Sequence, residues 1–251
     1  MKVVVNPKYD HLRSRIEQLP FSFEKEGRVI YKGRNIVKVF SLDNNPDVNV
    51  KRYRKPNLFN RIVYTFFRKS KAFRAYCNGL RIVEKGFDTA ESVAYIEMYK
   101  NGLLHESFYI SLQCTDVREM REYYFASLHG NEGVIEAFAR YSASLHDAGI
   151  YHLDYSPGNI LIHNDDTGKY TFMLVDTNRM KFMPVSPAAG CRNFARLFDN
   201  DDVYRYIGMV YSQSRKEPFS QDEAVRLIMK YKDAFLHKKS RKEKIKRFFR
   251  H

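Results

Sequence analysis

Residues 131–176 constrain this chain more than any other stretch. They open on NEGVIEAFARYSASLHDAG, where Val134, Ile135, Phe138, Ser142 and Leu145 recur at helical spacing. Asn131 is a candidate N-cap and Gly149 a candidate stop. HLDYSPGNILI follows, a polar Pro-Gly turn that runs straight into an apolar strand. A second turn, Asn164-Asp165-Asp166-Thr167-Gly168, leads into YTFMLVD, which ends on Asp176. A turn that follows a helix and enters a hairpin can point several side chains into one space. The hairpin is then expected to return Asp176 towards Asn159, with Asp154 on the loop between helix and strand.

The first half reads differently. GRVIYKGRNIVKVF (27–40) breaks at Lys32-Gly33-Arg34-Asn35, a turn between two strands, and VNVKRY (48–53) is a third. Ala72, Tyr76, Leu80 and Val83 predict a helix that Gly86 stops. SVAYIEMY and SFYISLQC predict two strands around Lys100-Asn101-Gly102. Beyond the hairpin the chain turns helical, with a capping box at Ser220 and Glu223. The expected organisation is a strand-rich unit over 1–115, a connector near Cys114-Thr115-Asp116, and a helix-rich unit over 116–251.

The polar residues of the hairpin suggest chemistry. An amide oxygen and a carboxylate are hard ligands suited to Mg²⁺, which keeps phosphates and water as its other ligands. A second carboxylate off the metal orients a hydroxyl and accepts its proton. By itself D-x-x-x-x-N is ordinary turn composition. The surroundings favour phosphoryl transfer: His152 two residues before Asp154, a helix before the loop, a strand directly after it, and a partner strand ending in Asp.

HLDYSPGNILI and FMLVDTNRMKF together resemble the Kdo/WaaP lipopolysaccharide core kinase family, within the protein-kinase-like phosphotransferases. LRIVEKGFDTAESVAYIE adds to the likeness, which covers roughly residues 25–205. The resemblance implies an α+β, bilobal protein-kinase-like fold, with a small antiparallel-sheet lobe carrying one helix and a helix-rich second lobe. It implies an ATP- and Mg²⁺-dependent kinase acting on a Kdo or heptose hydroxyl of the lipopolysaccharide inner core. Asp154 matches the catalytic acid, Asn159 and Asp176 the metal ligands, Lys51 the lysine on the nucleotide phosphates, and Arg179 the arginine that often follows. The turn of Lys32, Gly33 and Arg34 takes the place of a glycine-rich loop, its single glycine flanked by two cations.

One departure stands out. Such kinases orient the lysine with a glutamate on the next helix, yet no acid lies between Asp47 and Glu84. Either Glu84 or Glu91 substitutes, or Lys51 is held otherwise. Three rival readings remain: another phosphotransferase of the same fold, including a protein kinase; a catalytically silent kinase-like protein that binds lipid or a partner; and, on charge alone, a nucleic-acid-binding module.

The formal net charge of +14 favours an anionic partner. The acid-free stretch 48–83 interleaves cations with Phe59, Tyr64, Phe66 and Phe67. The tail LHKKSRKEKIKRFFRH repeats the pattern with Ile245, Phe248 and Phe249. Cations with interleaved aromatics suit an anionic membrane surface better than nucleic acid. The expected location is the cytoplasm, peripheral on the inner face of the inner membrane, with a lipid A–Kdo or core oligosaccharide substrate. No signal sequence is read at the amino terminus. Cys77, Cys114 and Cys191 lack the spacing of a zinc site or a disulfide framework.

Overall fold

The computed structural model describes residues 1–42 and 45–248, with the side chains of 246–248 outside the description. The chain forms two compact units: residues 1–115 with 176–179, and residues 116–175 with 180–251.

The first unit is built on a six-stranded antiparallel sheet in the order β1-β6-β7-β4-β3-β2. Its strands are β1 (Lys2–Val5), β2 (Arg28–Lys32), β3 (Ile36–Leu42), β4 (Asn45–Arg52), β6 (Ser92–Lys100) and β7 (Leu103–Leu112), and a two-residue strand, β5 (Asp88–Thr89), precedes β6. The two turns read from the sequence in this unit fall where expected. At the β6–β7 turn Asn101 and Gly102 both have positive φ, 53° and 73°, which matches the twist of a tight hairpin and suits these two residues.

Helix α3 (Lys71–Glu84) lies on this sheet, its start capped by Ser70 Oγ on the Phe73 N–H at 3.0 Å. Ala72, Ala75, Tyr76 and Ile82 are buried, while Val83, read as part of the apolar face, is exposed. The unit also contains two helices that periodicity did not reveal. One is α1 (Arg13–Ser22), with Pro20 inside it, which seats Ile16 and Leu19 in the same apolar cluster as Phe23 and Phe108. The other is α2 (Leu58–Ile62), which runs into a wide turn at Val63–Phe67. Lys38 is buried beneath α1, where its ammonium donates to the carbonyls of Phe23 and Glu26.

The second unit carries α4 (Glu132–Asp147), β9 (Ile150–His152), the hairpin of β10 (Ile160–Asn164) and β11 (Tyr170–Leu174), then β12 (Met180–Phe182), α5 (Pro187–Asn193), α6 (Asp201–Ser214) and α7 (Gln221–Phe248). A short strand, β8 (Arg118–Glu119), pairs with β10. Asn131 stands at the cap position of α4, but its amide donates to the Ser127 carbonyl instead of capping the helix. Gly149, at φ 73°, ends the chain's helical path. The hairpin turn is closed by Asp165, whose Oδ1 accepts the N–H groups of Thr167 and Lys169. Phe138 of α4 anchors the core, its ring centroid 5.5 Å from Phe172 of β11 and 5.9 Å from Tyr155. Ser220 Oγ accepts the Glu223 N–H at 3.3 Å at the start of α7. No helix among the described residues is long and apolar enough to cross a membrane.

Candidate active site

In the second unit, β9 pairs with β12, placing His152 opposite Met180. The loop after β9 carries Asp154, and a single helical turn at Pro157–Asn159 leads into β10. Tyr155 is buried, with its hydroxyl 2.8 Å from Ser142 Oγ, so the residue beside Asp154 is fastened to α4. The loop is also held from within. Asn159 Nδ2 donates to the Asp154 carbonyl at 2.9 Å, and the Val175 N–H donates to the Asn159 carbonyl at 3.0 Å. With Nδ2 committed, the amide turns its oxygen the other way, as a metal ligand requires. The Asp154 carboxylate is oriented by Arg196, whose Nη2 donates to Oδ1 and whose Nε donates to the Tyr155 carbonyl at 3.2 Å.

His152 is fully buried. Its Nδ1 accepts the Asp154 N–H at 3.0 Å and its Nε2 faces the Val175 carbonyl at 3.1 Å. Only a neutral ring protonated on Nε2 satisfies both partners. The ring therefore joins the Asp154 backbone to the residue before Asp176. Behind it runs a directed chain of hydrogen bonds. Arg215 Nη1 donates to the Tyr211 hydroxyl (2.6 Å), which donates to His146 Nδ1 (2.9 Å). His146 Nε2 then donates to Asn193 Oδ1 (3.1 Å), and Asn193 Nδ2 donates to the His152 carbonyl (2.9 Å). Burial pushes His146 down to about 4, which keeps it neutral and able to serve as both acceptor and donor. Gly190 allows this packing, because a Cβ there would lie 1.9 Å from the Tyr211 hydroxyl.

In the first unit, Lys51 on β4 lies opposite Val37 of β3 and Tyr109 of β7. Its Nζ is 2.7 Å from Asp176 Oδ1. Asp176 holds φ 57°, a left-handed conformation that Asp tolerates better than most residues. Asn178 Nδ2 donates to the same Oδ1. The segment 176–179, which includes Arg179, is tied to α3: Asn78 Nδ2 donates to the Thr177 carbonyl at 2.7 Å, and Thr177 Oγ1 donates to the Ala75 carbonyl at 3.0 Å. Helix α3 thus holds the acid segment and contributes no acid of its own. Neither glutamate weighed as a substitute serves Lys51, for Glu84 is exposed at the end of α3 and Glu91 pairs with Lys8 at 2.7 Å. Lys32, Gly33 and Arg34 are exposed at the β2–β3 turn, which Asn35 braces by accepting the Arg54 N–H at 3.1 Å.

The structure therefore brings together Lys51 with Asp176, and Asp154 with Asn159. Sequence reading missed Arg196, Asn193 and Asn78. Asn193 and Arg196, three residues apart, face the same loop from one stretch of chain, a placement that no signal in the sequence marks. No group of three or more His, Cys, Asp and Glu forms a metal cage among the described residues. Each unit offers one hard donor of the kind Mg²⁺ takes when substrate phosphates complete its shell, the Asn159 amide oxygen in the second and the Asp176 carboxylate in the first.

The model of the lipopolysaccharide kinase (Kdo/WaaP) family matches residues 25–231, most of the chain. The chain belongs to this family. Among solved structures it is similar to WaaP in complex with acyl carrier protein, with a TM-score of 0.61 at 16% identity over 96% of this chain and 99% of that one. That likeness gives the fold, which is protein-kinase-like. Weaker matches are the Rio2 kinase from Chaetomium thermophilum (TM-score 0.45, 14% identity, 85% of this chain and 66% of that one) and WbdD (0.46, 13%, 81% and 45%). No curated protein matches the chain in sequence. Membership of a kinase family makes phosphoryl transfer with ATP the activity class.

Proposed function

We propose that this family member phosphorylates a sugar hydroxyl, Kdo or heptose, of the lipopolysaccharide inner core, using ATP and Mg²⁺. The observation that carries the reading is the Lys51–Asp176 contact at 2.7 Å, with Asp176 in a left-handed conformation on a segment bolted to α3. A conformation of this kind costs about 1–3 kcal/mol and persists where the surroundings impose it for a task.

In this mechanism Asp154 accepts the hydroxyl proton as the acceptor oxygen forms its bond to the γ-phosphorus. The bond from that phosphorus to the β,γ-bridging oxygen breaks, and ADP leaves. Arg196 holds Asp154 in the one orientation that suits the incoming hydroxyl. Lys51 binds the nucleotide phosphates, aided by Lys32, Arg34 and the Gly33 backbone at the β2–β3 turn. Asn159 and Asp176 are the residues that would hold Mg²⁺, which would supply charge neutralisation at the nucleotide phosphates when bound. Most of the rate acceleration comes from positioning and charge neutralisation.

A lipid-anchored acceptor calls for work at a membrane. The segment Leu58–Phe67 supports this, because Phe59, Phe66 and Phe67 are 72%, 69% and 82% exposed on an acid-free, basic stretch. Arg61 fastens it from behind, donating to the Leu104 and Lys100 carbonyls at 3.0 Å each. An anionic bilayer takes exposed rings and cations together.

The deciding experiment is mass spectrometry of lipid A–core from cells with and without the protein. The expected result is loss of one inner-core phosphate, restored by the wild type and not by Asp154→Ala. Unchanged phosphate content would remove the lipopolysaccharide assignment.

A further inference from the structure

A cleft of about 590 Å³, lined by no carboxylate, opens in the first unit. Arg34, Arg54, Lys55, Asn60, Tyr64 and Lys71 line it, drawn from the β2–β3 turn, the end of β4, α2 and its following turn, and the first residue of α3. No acid lines the cleft, since Glu24 and Glu106 fall in the adjoining groove. None of its four cations forms an ion pair among the described residues, and Glu24 is taken by Arg52.

This concentration of charge works against the fold. Lys71 is half-buried and stands in the first turn of a 14-residue helix, where backbone N–H groups already carry partial positive charge. That turn holds no acid, and Arg74 adds a second half-buried cation to it. Burial, then Arg34, then Arg74 push the Lys71 ammonium below the ordinary lysine value, against the pull of Asp176. The Nζ atoms of Lys71 and Lys51 lie 5.8 and 5.5 Å from the centroid of the Tyr53 ring. The Tyr53 hydroxyl is buried with no hydrogen-bond partner. Four cations and no carboxylate lining one concave site, beside a helix N-terminus, call for an anion from outside the chain. The cleft is far larger than a phosphate ion, and Asn60 and Tyr64 supply groups suited to sugar hydroxyls.

We propose that this cleft is a second anion site, beside the nucleotide lysine and sharing Arg34 with the nucleotide turn, that takes a phosphomonoester carried on a sugar. As a site for the acceptor glycolipid's own phosphate it rests on the proposed function; as a site for a soluble sugar phosphate it does not. The α2 segment would then have two faces, with its phenylalanines on the lipid and its polar residues on the phosphosugar.

The test uses the full chain, saturated with a non-hydrolysable ATP analogue, titrated calorimetrically with glucose 1-phosphate, inorganic phosphate and glucose. The two phosphates are expected to bind and glucose not to. Lys71→Met is expected to weaken phosphate binding about tenfold or more, the cost of one charge-assisted contact in a half-buried site. Lys71→Arg, which keeps the charge, should stay within about threefold, and Arg54→Gln serves as an independent second probe. ATP-analogue affinity should hold in all three, which also reports that they fold. Phosphate binding that vanishes when the analogue is added, or that survives both Lys71→Met and Arg54→Gln, overturns the proposal. Steady-state kinetics on a lipid acceptor, with and without its phosphate, separate the two sources. A rise in acceptor KM for Lys71→Met, seen only with the phosphorylated acceptor, assigns the site to the glycolipid. Phosphate binding as expected without turnover of any glycolipid leaves the cleft standing and removes the proposed function. Turnover whose KM ignores Lys71→Met, with no phosphate binding by calorimetry, does the reverse.

Discussion

Two carboxylates divide the proposed work, and their surroundings say how. Asp154 is oriented by a guanidinium and its backbone is pinned by His152 and Asn159, so the side chain is held before any substrate arrives. Asp176 instead meets an ammonium, Lys51, in the arrangement expected of a phosphate-binding lysine resting on a metal-binding acid. Changes at the two sites should separate kinetically. Asp154→Asn keeps the shape and loses the base; turnover is expected to fall about 10²–10⁴-fold while ATP affinity stays near wild type. Lys51→Met should raise the ATP dissociation constant as well as lower turnover. Steady-state kinetics with nucleotide titration check both, and equal loss of nucleotide affinity in the two variants would contradict the division. Asp154, Asn159 and Asp176 were legible as residues because their spacing around a turn and a hairpin is local. Arg196 was not, because nothing in the sequence says which arginine folds back onto a loop forty-two residues earlier.

Among the elements, α3 and α2 depart most from expectation. Helix α3 was legible from its apolar periodicity, and the sequence already showed that it carries no acid before Glu84, its last residue. Its substitute role is tertiary. Asn78 and the Ala75 carbonyl grip Thr177, so the helix positions Asp176 through backbone and amide contacts where a glutamate would position Lys51 directly. Helix α2 escaped notice because its five residues are too few for a periodic signal, and α1 because Pro20 interrupts a weakly amphipathic run. Yet α2 and the turn after it present the largest exposed rings of the unit. Replacing Phe59, Phe66 and Phe67 together by Ser is expected to reduce binding to anionic phospholipid vesicles at least tenfold, since each ring adds roughly 1 kcal/mol or more of apolar burial. Thermal unfolding should barely change, because these rings touch little of the core. Co-sedimentation with vesicles reads the result, and undiminished binding would assign the membrane contact elsewhere. The tail pattern of Ile245, Phe248 and Phe249 is the other claimant: Ile245 is exposed, while the Phe248 side chain and Phe249 lie outside the described residues.

At the scale of the molecule, stability and catalysis share one buried network in the second unit. His146 is held near 4 by burial, against an ordinary value of 6.5. Its folded value lies below its unfolded one, so the unfolded chain takes up the proton first. The stability contributed by the neutral ring is complete above about pH 6.5 and drains away as pH falls towards 4, by about 3 kcal/mol in all. Urea unfolding at a series of pH values should show this loss already between pH 6.5 and 5, above the range where most carboxylates titrate. A flat profile there would contradict the neutral, doubly bonded ring. Because the folded ring stays neutral until pH nears 4, the network that ends on the His152 carbonyl, and activity with it, should hold between pH 6.5 and 5 while stability falls.

Local rules determined a great deal here. Helix spacing, Pro-Gly and Asn-Gly turns and a hairpin ending in an acid act over a few residues, so the order of elements and the residues of the proposed catalytic loop can be read directly. The cationic, acid-free stretch also follows from the sequence alone. Tertiary structure decided what lies far apart along the chain. It settled that Lys51 rests on Asp176, that Arg196 orients Asp154, that α3 grips Thr177, and that cations spread from residue 34 to residue 71 line one cleft. Pairings of that kind depend on which surfaces meet once the core is packed, and neither periodicity nor turn chemistry carries that information.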